Sequence, residues 1–329
     1  MEEISSLTSE LMPVAKEMES ERAGMHPTFF EFMTAMAFLR FRNENVDVAV
    51  LETGLGGRLD STNIVNPILS VITTISYDHC DILGHEIAVI AAEKGGIVKQ
   101  GRPVLTGWLP PVANKVIREI ARKNSSPFES LASCDPLSDE LPRTNLFGKY
   151  QRRNAALAQR AVGLLSESFP VDACKTAIGL NEVILEARWQ VLPGRPMIIL
   201  DACHNEEGAE ALRENLSTLG EKVDVWLGSL GQSRASEVIS AVLPSALNFK
   251  FFQPNQPRAC LPEELKGMIP GDFEGRIDSC HISKVGHYLR TVPENRIILI
   301  TGSIYLIGEF LSLRDKSSHF TNFDFQDLL

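Results

Sequence analysis

VDVAVLETGLGGRLDSTN, from Val46 to Asn63, is the stretch on which the fold turns. A β-branched apolar run, Val46 to Leu51, predicts a buried strand. It passes through Glu52 straight into a glycine-rich turn, Gly54-Leu55-Gly56-Gly57. In parallel α/β sheets, ligands sit beyond the carboxyl ends of strands. A carboxylate there, followed by backbone that can approach a ligand closely, suits a metal–phosphate site. Leu59 stands where a dinucleotide fingerprint needs its third glycine, so that motif is excluded. The same residues also suit a tight strand–helix turn with a capping acid.

On either side, short β-branched runs alternate with helical patterns, the signature of parallel sheets covered by helices. Ser70 to Ile75 and Pro103 to Leu105 read as strands. Glu86 to Ile97 reads as a helix with Ile87, Ile90, Ala91 and Lys94 on one face. Pro110-Pro111 opens another, carrying Val112, Val116, Ile117 and Ile120. A helix over Tyr150 to Leu165 turns Ala158, Ala161, Val162 and Leu165 to its packing side, and a shorter one follows over Asp172 to Leu180. The alternation then restarts, with strands at Met197–Leu200, Val223–Leu227, Phe249–Phe252 and Ile297–Ile300 and helices after each. The first of those helices begins near Asn205 and the last runs from about Ser303 to Leu313. The polar tail from Lys316 to Leu329 has no periodicity.

At 329 residues the chain has room for two domains of common size. Charged residues make up 22% and hydrophobic residues 44%, ordinary for a globular protein. A net charge of −10 argues against a nucleic-acid partner, since an acidic surface repels phosphate backbones. The six cysteines form no CxxC pair and read as reduced thiols. Neither a signal peptide nor a membrane span is expected: the apolar stretch Ile297–Leu311 is too short and is interrupted by Thr301, Gly302, Ser303 and Glu309. The expectation is a cytoplasmic protein.

The strand expected at Ser70 to Ile75 leads into Ser76-Tyr77-Asp78-His79-Cys80-Asp81, bringing a histidine and two acids to the same sheet edge as Glu52. Taken alone, His79 reads as readily as a structural loop residue. Beside a neighbouring strand end that carries Glu52, the pair points towards a divalent cation.

Thr28-Phe29-Phe30-Glu31, LETGLGGRLDSTN, SYDHCDILG, AAEKGGIVKQGRPV, the run from Asn154 to Ala158, Asp201-Ala202-Cys203-His204-Asn205 and Thr301-Gly302-Ser303-Ile304-Tyr305 follow one another in a telling order. In order and spacing they resemble the folylpolyglutamate synthases, some of which are also dihydrofolate synthases, in the Mur-ligase group. The resemblance runs from Thr28 to Leu313. It implies an α/β fold: a Mur-ligase central ATPase-like domain with a parallel sheet over residues 1–182, then a Rossmann-like carboxyl-terminal domain over 183–315, with the active site between them. It implies ATP and Mg2+ as cofactors, a folate and L-glutamate as substrates, and amide formation through an acyl phosphate. By the same resemblance, Glu52 and His79 match magnesium ligands, and Lys94 matches a lysine that is often carbamylated. Asn154, Arg188 and Asp201 match the positions that hold adenine and ribose. Thr28, Phe29, Phe30, Glu31 and Asp60 match the region of the pteridine-bearing substrate, and His204 and Ser303 lie near the incoming glutamate and the acyl phosphate. Read locally, Lys94 also suits an ordinary salt bridge, and Phe29 and Phe30 suit the core of the helix they start.

Two departures stand out. Arg188 lies in Glu186-Ala187-Arg188-Trp189, where the family usually has Pro-Gly before the arginine. No segment fits the phosphate loop, G-x-x-x-x-G-K-[ST]; Gly96 to Gly101 has the glycine spacing, but Arg102-Pro103 follows. The resemblance places that loop upstream of Thr28, which implies an amino-terminally shortened central domain, impaired activity, and room for a separate chain that supplies the loop. Two other readings stand beside the ligase: a non-catalytic remnant that binds nucleotide or a partner, and a Mur-type ligase for cell-wall precursors.

Overall fold

The computed structural model describes residues 2–316, so the expected tail lies, beyond Lys316, outside the described residues. The chain divides into two compact units. One holds the residues up to Pro136 together with Leu157–Pro170; the other holds Leu137–Ala156 and the described residues from Val171 onward. Residues 137–156 and 171–182 therefore cluster with the later unit.

The first unit opens with two helices, α1 (Glu2–Glu21) and α2 (Phe29–Glu44), joined by a small cluster of Leu7, Met36 and Leu39. Then come β1 (Ser70–Ile72), α3 (Cys80–Leu83), α4 (Ile87–Gly95), β2 (Val104–Thr106), α5 (Pro111–Lys123) and β3 (Phe128–Ser130). The three strands form a parallel sheet in the order β1-β2-β3. Its core joins Ile72 and Val104 to Ile90 and Ala91 of α4 and to Ala113, Ile117 and Ala121 of α5. On α5, Ile117 is buried and Val116 and Ile120 pack against the same core, as expected, whereas Val112 is exposed.

Val46 to Leu51 is not a strand. No residue of the run joins a ladder, and Val46, Val48 and Val50 are exposed, Val50 to 92%. A β-branched run becomes a strand only where a neighbour meets its N–H and C=O groups. The described sheet ends at β1. Likewise, β1 stops at Ile72, so residues 73–79 are loop.

α6 (Lys149–Leu164) is shared between the units, its residues up to Ala156 clustering with the second. Ala155 and Leu157 are buried on it and Ala158 is exposed, a face rotated from the expected one. α7 (Ala173–Glu182) follows, capped by the Asp172 carboxylate on the Lys175 amide.

The second unit continues with β4 (Gln190–Leu192), β5 (Met197–Asp201), α8 (Glu206–Ser217), β6 (Val223–Leu227), α9 (Gln232–Val242), β7 (Ala246–Phe252), α10 (Pro262–Lys266), β8 (Ile277–Cys280), α11 (Val285–Thr291), β9 (Ile297–Thr301) and α12 (Ile304–Lys316). Its six strands run in the order β4-β5-β9-β6-β7-β8, parallel except for β4. β6 and β9 are buried at every position, as strands covered on both faces should be. Ile199, Val225 and Leu299 pack with Leu212 and Leu216 of α8 and Val238 and Ile239 of α9. Leu200, Trp226 and Ile300 pack on the other face with Leu289 of α11 and Leu306 and Phe310 of α12. The path from β5 through α8 to β6 skips a position, which β9 fills. The carboxyl ends of β5, β9 and β6 therefore form a switch point, where ligands of such sheets bind. Among the described residues no helix is long and apolar enough to cross a membrane.

Candidate active site

In the first unit Phe30 and Asp60 lie against the glycine-rich loop, and Thr28 and Glu31 form the cap of the helix that carries Phe30. Thr28 caps α2: its hydroxyl oxygen accepts from the Glu31 amide, and the Glu31 carboxylate accepts from the Thr28 amide at 2.8 Å and the Thr28 hydroxyl at 2.7 Å. Those bonds hold Glu31 below the usual carboxylate range. The box leaves Phe29 at the helix start, 81% exposed, and turns the Phe30 ring onto Gly54. A Cβ at Gly54 would stand 2.4 Å from that ring, which would have to swing aside.

Asp60 organises the loop from within. One oxygen accepts from the Gly54 and Leu55 amides, the other from the amide and hydroxyl of Thr62. Burial pushes its pKa up, but those donors outweigh it and hold the carboxyl low. The loop is also fastened to the end of α4. Arg58 donates its amide to the Glu93 carbonyl and pairs with the Glu93 carboxylate, while Asn63 donates to the Gly96 carbonyl. GLGGR and AAEKGG are thus two halves of one packed feature.

Glu52 is exposed, and among the described residues nothing bonds its side chain. His79 begins α3 with a left-handed backbone, φ 51°, its Nε2 3.8 Å from the Asp78 carboxylate. Both residues sit on loops rather than at the strand ends expected for them. Lys94 is half-buried in the last turn of α4, and among the described residues its ammonium has no partner, so the salt-bridge reading finds no acid. Among the described residues no three His, Cys, Asp or Glu side chains stand together as a metal cage. Magnesium takes one or two protein donors and completes its shell with water and phosphate oxygens, so an exposed carboxylate and an imidazole are donor types that suit it.

In the second unit the switch point carries Asp201, His204 and Ser303. Asp201 ends β5 and is buried; its oxygens accept from the Trp189 and Cys203 amides, each at 3.0 Å. Burial raises its pKa to about 6, against the pull of those amides, Arg188 and His204. Arg188 is exposed beside it, in a turn where Ala187 and Trp189 both have positive φ. Cys203 is pushed up to about 12, chiefly by burial and then by Asp201, which leaves it a neutral thiol. His204 has Nδ1 2.9 Å from the Ala202 carbonyl oxygen. With Nδ1–H as donor there, Nε2 is the free acceptor. Ser303 is buried, and its hydroxyl accepts from the Tyr305 amide at the start of α12.

Asn154 lies in the same unit as Arg188 and Asp201, exposed on α6, its Nδ2 donating to Gln151. Sequence reasoning passed over Gln151, Tyr150, Phe147 and the Arg58–Glu93 pair. The spacing of Gln151 to Asn154, three residues on a helix, was the available signal.

A parallel-sheet unit with a glycine-rich loop, followed by a Rossmann-like unit with an acid at its switch point, defines the two-domain Mur-ligase class. No family model matches the chain. It is 34% identical to the dihydrofolate synthase/folylpolyglutamate synthase of Bacillus subtilis (strain 168) over 333 residues, 94% of this chain and 77% of that protein. Among solved structures it is similar to the folylpolyglutamate synthase of Thermotoga maritima, with a TM-score of 0.81 and 27% identity over 96% of this chain and 76% of that one. It is also similar to an FPGS–AMPPCP–folate complex, with a TM-score of 0.74 and 25% identity over 95% and 77%. The chain belongs to the dihydrofolate synthase/folylpolyglutamate synthase family.

Proposed function

We propose that this chain carries the chemistry of an ATP-dependent ligase that joins glutamate to a folate through an acyl phosphate. The observation that carries the reading is the 34% identity with a curated member of that family over 94% of the chain. A related structure holds AMPPCP and folate together, which supports ATP and a folate as the ligands here.

On this reading Asn154 meets adenine, and Arg188 and Asp201 meet the ribose. An ionised Asp201 serves ribose hydroxyls as acceptor. Glu52 and His79 would hold magnesium, which when bound neutralises charge on phosphate oxygens. Lys94, half-buried without an acid, suits carbamylation better than a lysine locked in an ion pair. Phe29 offers an exposed ring to a flat heterocycle, and Thr28, Phe30, Glu31 and Asp60 shape the ground beneath it. The free Nε2 of His204 suits removal of a proton from the incoming amine, which must be neutral to attack, and Ser303 lies on the neighbouring strand end. Six free cysteines suit a reducing, cytoplasmic compartment.

No segment of the 329 residues fits the phosphate loop. Losing one preorganised donor costs about a hundred- to a thousandfold in rate. The test is ATP-dependent incorporation of labelled L-glutamate into a reduced folate, with and without a loop-bearing segment. Turnover that requires the segment is expected. No incorporation in either arm, with ATP and folate both unbound, would leave the non-catalytic remnant as the better reading.

A further inference from the structure

Asn154 is exposed, yet its carboxamide is held from below. Nδ2 donates to Gln151 Oε1 at 3.2 Å, and Gln151, one turn earlier on α6, is only 3% exposed. The start of α6 is itself anchored. The Tyr150 ring lies against Gly148, whose φ of 107° lets the chain turn there. Phe147 stacks on Trp189 at 5.1 Å with the rings 13° from parallel, and the Trp189 amide donates to Asp201. Lys149 pairs with Glu214 of α8. The helix turn bearing Gln151 and Asn154 is therefore fixed to the turn bearing Arg188 and Asp201.

We infer that Gln151 is a positioning residue that sets which way the Asn154 carboxamide faces, and through it the preference for adenine over guanine. This rests on the reading of Asn154 as the adenine contact. A carboxamide is nearly symmetric in shape but opposite in hydrogen-bonding sense at its two ends. With Nδ2 turned to the Gln151 acceptor, Oδ1 and the second N–H are left for a base. Adenine offers a donor at N6 beside an acceptor at N7, which that pair matches. Guanine offers acceptors at both O6 and N7, so Oδ1 would face an acceptor. Flipping the amide would break the bond to Gln151 and leave a buried acceptor unmet. It would also set a donor against N6 and an acceptor against N7 of adenine, while still meeting only one of guanine's two acceptors. The Tyr150 hydroxyl, whose pKa is raised by burial and then by the charge of Asp201, stays protonated beside this network.

The test compares Gln151→Met, which keeps length but removes the acceptor, Gln151→Glu, which keeps an acceptor, and Asn154→Ala. Dissociation constants for ATP and for GTP are measured by calorimetry on the full chain, with melting curves alongside. The ATP-over-GTP ratio is expected to fall about tenfold in Gln151→Met and to stay within about twofold of the parent in Gln151→Glu. Should Gln151→Met fail to fold, Gln151→Asn withdraws the amide by one methylene and should lose the same preference. Equal loss of both nucleotides with a lowered melting temperature would show a merely structural role and overturn the inference. So would an unchanged ratio in Gln151→Met while Asn154→Ala loses ATP; the adenine reading of Asn154 would then survive. If Asn154→Ala binds ATP as the parent does, or the parent binds none, that reading fails and takes this inference with it.

Discussion

Asp201 shows at the residue scale how a site residue is held at a cost to the fold. Burial lifts its pKa from 3.8 to about 6, more than the two amides, Arg188 and His204 can offset. The folded state therefore binds this proton more tightly than the unfolded chain does. The stability linked to it is fully present below about pH 4 and is lost as pH rises through about 6. The gap corresponds to roughly 3 kcal/mol at most. Asp201→Asn should flatten that part of the profile in urea unfolding followed from pH 4 to pH 7. It should also lose one of the two amide contacts, since a carboxamide has a single acceptor oxygen. A variant whose stability falls over this range as steeply as the parent's would assign the titration to another group. Asp201, which ends β5, and His204 were singled out in the sequence through the resemblance carried by Asp201-Ala202-Cys203-His204-Asn205. Gln151 was not, because its part depends on burial and on the turn that carries Trp189, neither of which is written in its own neighbourhood.

Packing between elements explains the motifs better than any single residue does. The loop that begins at Gly54 and the end of α4 are fitted so closely that a Cβ at Gly96 would lie 2.4 Å from the Arg58 backbone. At Gly54 the obstacle is the half-exposed Phe30 ring, which can swing away. Gly96→Ala should therefore cost about 2–3 kcal/mol in denaturant unfolding, and Gly54→Ala under about 1 kcal/mol while disturbing Phe30. Equal costs would mean that the loop yields as easily as a side chain. The cap of α2 gives a second test: Thr28→Ala removes the acceptor for the Glu31 amide and should destabilise the helix by about 1 kcal/mol. Helicity measured by circular dichroism through the melt would check it. The sequence pattern predicted α4, α5, α7 and α12 within a few residues, because their apolar spacing and caps are local. It overlooked α1, a mostly exposed helix, where Pro13 argues against a helix and contact with Met36 and Leu39 on α2 supports one.

At the scale of the whole molecule, the two units differ in how completely their sheets are enclosed. β5, β6 and β9 lie in the interior of a six-stranded sheet with helices on both faces, and Ile199, Leu200, Val225, Leu227, Ile298 and Leu299 have no measurable exposure. In the first unit, three strands of three residues each share one core, and the apolar run from Val46 to Leu51 lies outside the ladder. The run VDVWL and the run VDVAVL look alike as sequence, and both read as buried strands. What separates them is neighbours: β6 has β9 and β7 on its two sides, whereas the described sheet of the first unit ends at β1. Backbone amides in β6 can exchange with solvent only when the sheet opens, whereas those of Val48 and Val50 need no opening at all. Native-state hydrogen exchange should therefore find Val225 and Leu299 among the slowest amides. Val48 and Val50 should exchange more than about a thousandfold faster, as expected when a domain of ordinary stability is compared with unbonded backbone. If Val48 and Val50 proved as protected as Leu299, the run would have to be paired in a ladder in solution, and its assignment as exposed, unpaired backbone would fall.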